Sequence, residues 1–172
     1  MKSTTNIPHT ISLIGMPGAG KSTVGVILAK LLGRQFRDTD LDIQLRERAT
    51  LQEILDQRGY QALREIEEAV LLEIGLKNAI ISTGGSAVYS QASMKRLREA
   101  GPVVYLNADL PTLAPRVAAT PNRGMASSKE QSFAEVYAER TPLYARHATH
   151  TVDATAGTAD DIALLIAGLI GD

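Results

Sequence analysis

Hydrophobic positions follow two rhythms along this chain. The runs Ile11-Ser12-Leu13-Ile14, Ala79-Ile80-Ile81-Ser82 and Val103-Val104-Tyr105-Leu106 are short and continuous, as buried strands are. Elsewhere apolar residues recur every three or four positions, which predicts helices. Val24, Ile27, Leu28, Leu31 and Leu32 do so up to Gly33, and Ile162, Leu165, Ile166 and Leu169 share a face within 159–170. Within 60–76 the apolar face is Leu63, Ile66, Val70 and Ile74, with Arg64, Glu67, Glu68 and Glu73 largely off it. Weaker strands are expected at 36–40, where the carboxyl end carries two carboxylates, and at 150–152. Further helices are expected at 41–48, at 51–58 with a break at Gly59, and at 92–100, closed by Gly101-Pro102. Two more carry internal prolines: 110–119, which Pro115 should kink or restart, and 133–144, interrupted at Thr141-Pro142.

Five strands alternating with helices predict an α/β fold, a three-layer α/β/α arrangement around one parallel sheet, with ligands gathered at the carboxyl ends of its strands. Residues 120–132 are polar and rich in Gly and Ser, and predict a mobile lid.

Composition narrows the class. With 172 residues, 44% hydrophobic and 22% charged, the chain fits a single domain, 1–172, in which 1–9 reads as a short, flexible polar tail. A net charge of −1 argues against a broad basic face for nucleic acid, and no apolar run approaches the ~20 residues that span a bilayer. There is no cysteine, which leaves neither disulfides nor thiolate metal sites. A cytoplasmic monomer with a small-molecule partner, and with neither nucleic acid nor membrane, is the expectation.

The chemistry concentrates first at Gly15-Met16-Pro17-Gly18-Ala19-Gly20-Lys21-Ser22-Thr23, between the first strand and the first helix of a unit spanning 10–35. Gly, four residues, then Gly-Lys-Ser is the pattern of a phosphate-binding loop. Backbone N–H groups of Gly15, Gly18, Ala19 and Gly20 curl round an anion, and the helix start at Lys21 to Thr23 adds its positive dipole end. The Lys21 ammonium can reach the outer phosphates and the Ser22 hydroxyl can ligate magnesium. ATP and Mg2+ are the ligands this implies.

No carboxylate follows the strand at 79–82 or the one at 103–106, so the acidic candidates are Asp38 and Asp40. Asp38 can approach the metal, directly or through water, and Asp40 can face an acceptor hydroxyl. A plainer role is open as well, with Asp40 or Thr39 capping the helix that starts near Leu41. There is no Asn-Lys-x-Asp guanine-reading motif, which favours a kinase of a small hydroxyl compound over a GTPase.

The phosphate loop, Asp38-Thr39-Asp40, Leu63-Arg64 before Ile66-Glu67-Glu68, Thr83-Gly84-Gly85 and Glu139-Arg140-Thr141-Pro142-Leu143-Tyr144 occur in the order seen in shikimate kinases, and the resemblance spans nearly the whole chain. It implies a fold like nucleoside monophosphate kinases, with strand order 2-3-1-4-5, and transfer of the ATP γ-phosphoryl to the 3-hydroxyl of shikimate in aromatic amino acid biosynthesis. By position it implies that Asp40 holds the acceptor hydroxyl and acts as its base, within a substrate-binding region of about 36–76. Arg64 and Arg140 match the pair that grips the substrate carboxylate, and Gly84-Gly85 the turn that approaches the ring. Arg123 matches the lid arginine that reaches the phosphates, and Arg116 one that lies over the adenine.

The plain alternatives are a helix-surface pair of Arg64 with Glu68, and solvated charges at Arg116 and Arg123. His147 and His150 read as structural or exposed. Two positions depart from the family pattern: Ser86 stands where a third glycine is usual, and Arg123-Gly124-Met125 where Arg-Pro-Leu is. A residue contacting the purine near Thr155 to Thr158 is not assigned. Rival readings are a same-fold kinase of another small anionic hydroxy compound and a nucleotide-binding regulator with weak transfer. A nucleoside monophosphate kinase is a weaker alternative, since the chain offers no convincing base-reading region.

Overall fold

The first strand sets the sheet. In this computed structural model, which describes residues 9–120 and 123–171, β1 (Ile11–Ile14) is buried along its whole length. Residues 1–8 of the tail expected at 1–9, and Pro121-Asn122 of the expected lid, lie outside the described residues. Ser12 pairs with Ile81 of β3 (Ala79–Ser82) on one side and with Val103 of β4 (Val103–Asn107) on the other. β2 (Gln35–Asp38) and β5 (His150–Asp153) complete a five-stranded, all-parallel sheet in the order β2-β3-β1-β4-β5. Strands covered on both faces need continuous apolar runs, and β1, β3 and most of β4 supply them.

Helix α1 (Lys21–Leu32) follows the loop after β1 and lies against α7 (Ala159–Gly171). On α7 the buried positions are Ile162, Ala163, Ile166 and Ile170, whereas Leu164, Leu165 and Leu169 are exposed. The expected face was therefore displaced: Ile162 and Ile166 face the core, but Leu165 and Leu169 turn outward, because a helix that is apolar nearly all round gives periodicity no polar side to exclude.

α2 (Thr39–Glu47) begins two residues earlier than expected, and its cap is Asp38, whose side chain accepts from the N–H groups of Asp40 and Leu41. Neither Asp40 nor Thr39 has that role. α3 (Leu51–Glu73) opens with a capping box of Thr50 and Glu53. At Gly59 a φ of 82° and ψ of 170° leave the helical region, so the span is two helices meeting across a kink at the expected break. Arg96 of α4 (Gln91–Ala100) closes its far end by donating to the carbonyls of Leu71 and Ile74, at 2.5 and 2.9 Å. Ile43, Ile54, Leu63, Ile66 and Val70 form a small core of their own between α2 and α3, joined by Ala126.

The two prolines do less than expected. α5 (Leu110–Ala118) continues through Pro115, where the missing bond would fall in the first turns. α6 (Phe133–His147) continues through Pro142. A Ser132–Glu135 capping box starts α6, and Val136, Arg140, Tyr144 and His147 hold it against the sheet on both sides of the proline. Packing outweighs one lost hydrogen bond, even at the ~3 kcal/mol an internal proline costs in an isolated helix. Glu67 is a further departure: it was placed off the apolar face of α3 and is 3% exposed.

Candidate active site

The carboxyl ends of β1, β2 and β3 open into one cavity of about 140 Å³. Gly18, Gly20, Lys21, Ser22 and Thr23 line its floor, and Arg123 of the 120–132 segment closes over it. Asp40, Gly84 and Gly85 form one wall with Arg140, so most of the side chains singled out along the chain meet here.

The floor is shaped by backbone. Gly20 precedes α1 without any side-chain cap, so the first N–H groups of the helix are left for a ligand. Gly15 and Ala19 are buried beneath the loop, where the Ala19 N–H donates to the Met16 carbonyl at 3.2 Å. Lys21 folds back over this turn, donating to the carbonyls of Gly15 and Met16 at 2.7 and 2.9 Å. Burial pulls its pKa down to about 8, with Asp40 opposing and Arg123 adding to the fall. Arg116 lies beside the loop and donates to the Gly18 carbonyl at 3.1 Å.

Asp38 ends β2 next to Ser22, whose hydroxyl donates to its Oδ2 at 2.6 Å, while its Oδ1 caps α2. Capping by Asp38 leaves the Asp40 carboxylate free of that duty. Burial and the neighbouring Asp38 raise the Asp40 pKa, and Lys21 and Arg123 counter them. Thr39 ties this helix start to the next loop, its hydroxyl accepting from the Gly84 N–H at 3.1 Å.

Arg140 is 1% exposed. It donates to the Ala126 carbonyl at 2.9 Å and to the Tyr89 hydroxyl at 3.3 Å. Gly85 faces it so closely that a β-carbon there would lie 2.8 Å from Arg140 Nη1. Arg64 is not paired with Glu68: its guanidinium sits 3.8 Å over the Tyr89 ring and 4.9 Å from that of Tyr60, and its Nε donates to Ala126 at 3.1 Å. It lines an adjoining cavity of about 130 Å³ together with Glu67, Ser86 and Tyr89.

Three contributors escaped the linear reading. Tyr89 supports both arginines and donates to Glu139 at 2.6 Å. Tyr144 donates to the Gly85 carbonyl at 2.5 Å, fixing the Gly-Gly turn from below. Glu67 is buried against Ser86, which donates to its Oε2. A signal for Glu67 was present: it lies four residues after Leu63 and four before Leu71, inside the stripe that α3 buries.

The Ser86 hydroxyl is turned to Glu67, to which it donates. Gly124 adopts φ 67°, and a β-carbon on it would lie 2.6 Å from the Leu51 Cβ. The 123–126 segment thus rests on the start of α3 in a conformation closed to proline.

Comparison with known proteins agrees with this geometry. Residues 17–169 match the shikimate kinase family. Shikimate kinase 2 of Yersinia enterocolitica is 36% identical over 152 residues, which cover 86% of this chain and 87% of that one. Among solved structures, a shikimate kinase from Acinetobacter baumannii in complex with shikimate is 35% identical and superposes with a TM-score of 0.88, covering 98% of this chain and 96% of its own. The shikimate kinase of Aquifex aeolicus, 26% identical, reaches 0.78 with 94% of both chains covered. With the phosphate-loop kinase fold and a match across most of its length, this chain belongs to the shikimate kinase family.

Proposed function

We propose that the protein is a shikimate kinase in activity as well as in family, transferring the γ-phosphoryl group of ATP to the 3-hydroxyl of shikimate with magnesium. The observation that carries the reading is the placement of two arginines and one carboxylate around a single phosphate loop. Arg64 and Arg140 both donate to the Ala126 carbonyl, and Ala126 and Arg140 line the same cavity as Lys21 and Asp40. A guanidinium pair suits a carboxylate through charge-assisted hydrogen bonds, and an acceptor anchored there would turn a hydroxyl toward Asp40.

The donor set also suits the metal. Ser22 and Asp38 bring a hydroxyl and a carboxylate oxygen to 2.6 Å of each other beside the loop, and hard oxygens are what magnesium takes. When bound, magnesium neutralises charge across the outer phosphoryl oxygens. In this reading the loop N–H groups and Lys21 hold the phosphates, Arg123 meets the transferred group, and Arg116 lies toward the base of the nucleotide. Asp40 accepts the hydroxyl proton as the new O–P bond forms and the bond to ADP breaks. Gly84-Gly85 admits the ring, 36–76 forms the acceptor side, and 120–132 closes to keep water out. A monomer in the cytoplasm, without nucleic-acid or membrane partners, completes the proposal.

The test is ADP release with ATP and magnesium, with and without shikimate, and the mass of the product. Shikimate-dependent formation of shikimate 3-phosphate is expected. Intact ATP binding with no stimulation by shikimate sinks the acceptor assignment and leaves another hydroxy acid or a regulatory role.

A further inference from the structure

Arg64 and Arg140 bring two positive charges to one carbonyl, and neither forms an ion pair with a carboxylate among the described residues. What meets both is Tyr89, from the single turn Ala87–Tyr89 that follows Gly84-Gly85. The Arg64 guanidinium carbon lies 3.8 Å from the centre of its ring and that of Arg140 5.4 Å. Its hydroxyl accepts from Arg140 Nε at 3.3 Å and donates to Glu139 Oε1 at 2.6 Å. The other Glu139 oxygen accepts from Gln131 at 2.7 Å. Tyr89 is half-buried and belongs to neither apolar cluster, so its ring is not there to fill the core.

We propose that Tyr89 is a positioning residue for the acceptor: it holds Arg64 by its ring face and Arg140 by its hydroxyl, with Glu139 setting the hydroxyl's direction, so that both guanidinium groups stay aligned for a carboxylate. The inference rests on shikimate as the acceptor and adds to that reading the support on which its grip depends.

The choice of a phenol has a physical reason. A ring face attracts a guanidinium through its quadrupole without taking up the N–H donors, whereas a carboxylate set directly against either arginine would occupy the fork that the ligand needs. Glu139 is held one hydrogen bond away, where its charge offsets two like charges and leaves the forks free. The hydrogen bond from Tyr89 first, then that from Gln131, keeps Glu139 below the usual carboxylate range. Burial first, then Glu139, pushes the Tyr89 phenol up. The phenol therefore keeps its proton, and the order is fixed: Tyr89 donates to Glu139 and accepts from Arg140.

The test measures kcat and KM for the wild type, Tyr89→Leu, Tyr89→Phe and Glu139→Gln, with shikimate and with its carboxamide analogue. ATP affinity by calorimetry and the thermal midpoint are measured alongside. Tyr89→Leu removes both ring and hydroxyl, and is expected to raise KM for shikimate roughly 5- to 30-fold, with kcat within about 3-fold and ATP affinity unchanged. Tyr89→Phe restores the ring beneath Arg64, so it and Glu139→Gln should raise KM only about 2- to 5-fold. The carboxamide offers no charge to grip, and its kcat/KM should differ by less than about 2-fold between the wild type and Tyr89→Leu. A KM for shikimate that does not move in Tyr89→Leu overturns the proposal. A loss as large for the carboxamide as for shikimate overturns it too, since disturbed packing alone would weaken both acceptors alike. If Tyr89→Leu does not fold, Tyr89→Phe and Glu139→Gln decide, and an unmoved KM in both overturns it. A wild type that binds ATP but does not phosphorylate shikimate fails the acceptor assignment and this inference with it. An active wild type beside unmoved variants fails this inference alone.

Discussion

Arg64 and Arg140, carried on α3 and α6, donate to one and the same atom, the carbonyl oxygen of Ala126, at 3.1 and 2.9 Å. A neutral carbonyl therefore sits where two guanidinium groups converge. A carboxylate offers two oxygens and a full charge at that point, and charge-assisted bonds are about twice as strong as neutral ones. The contact joins the 123–126 segment to the acceptor side of the cavity.

Shortening either arginine to lysine tests that grip. Arg64→Lys and Arg140→Lys keep the charge but lose the planar fork. Loss of a charged hydrogen bond of about 1.5–3 kcal/mol is expected to raise KM for shikimate roughly 10- to 100-fold. The affinity for ATP, measured by calorimetry, should be nearly unchanged. A KM for shikimate that does not move would remove the arginine from the acceptor site.

Asp40→Asn keeps size and polarity while removing the proton acceptor. Since Asp38 caps α2, folding should be preserved, and the thermal midpoint should confirm it. kcat is expected to fall roughly 10²- to 10⁴-fold with ATP binding intact. Turnover at the wild-type rate would exclude Asp40 as the base.

Asp38 joins two jobs that substitution can separate. Asp38→Ala should cost about 1 kcal/mol of stability through the lost cap, whereas Asn caps a helix nearly as well as Asp. Asp38→Asn is therefore expected to melt like the wild type while needing more magnesium for half-maximal rate. A magnesium titration that superposes on the wild type's would confine Asp38 to capping.

Gly124→Pro recreates the proline usual in the family, and here it should do harm. Its φ of 67° is out of reach for proline. Where the native conformation is incompatible, such a change costs more than about 1 kcal/mol, so kcat/KM should drop at least about 5-fold. An increase in shikimate-independent ATP hydrolysis should accompany it, as closure is impaired. Unaltered kinetics would show that this conformation is not used in turnover.

Glu67 predicts a pH dependence of stability. Burial first, then Asp40, raise its pKa from 4.5 to about 7, against the Ser86 hydrogen bond, Arg140 and Lys21. The folded state thus holds this proton more tightly than the unfolded chain. Stability contributed at this site is greatest below about pH 4.5, declines as pH rises toward about 7, and levels off above that. In chemical denaturation, the difference between the wild type and Glu67→Gln should follow that course. A difference that stays flat across the interval would show that Glu67 is not held protonated by the fold.

The chain's own periodicity was enough to place five strands, the helices around them and the phosphate loop, because these depend on neighbours within a turn or a pleat. Loop spacing likewise placed Lys21 and Ser22 at the start of α1. The parallel order β2-β3-β1-β4-β5 came with the family resemblance and not from any local pattern, since strand neighbours are chosen across long crossovers.

Packing between distant segments decided the rest. Pro142 stays helical because α6 is held on either side of it, and Asp38 becomes the cap because β2 ends at Asp38. Tyr89 comes beneath Arg64 from 25 residues further along the chain, and Ala126 reaches Arg64 from 62. Glu67 is buried only because Ser86 and Asp40 arrive from other elements to surround it. A charged residue beside an apolar stripe looks solvated along the chain. What makes it part of a site is the desolvation that only the assembled fold imposes.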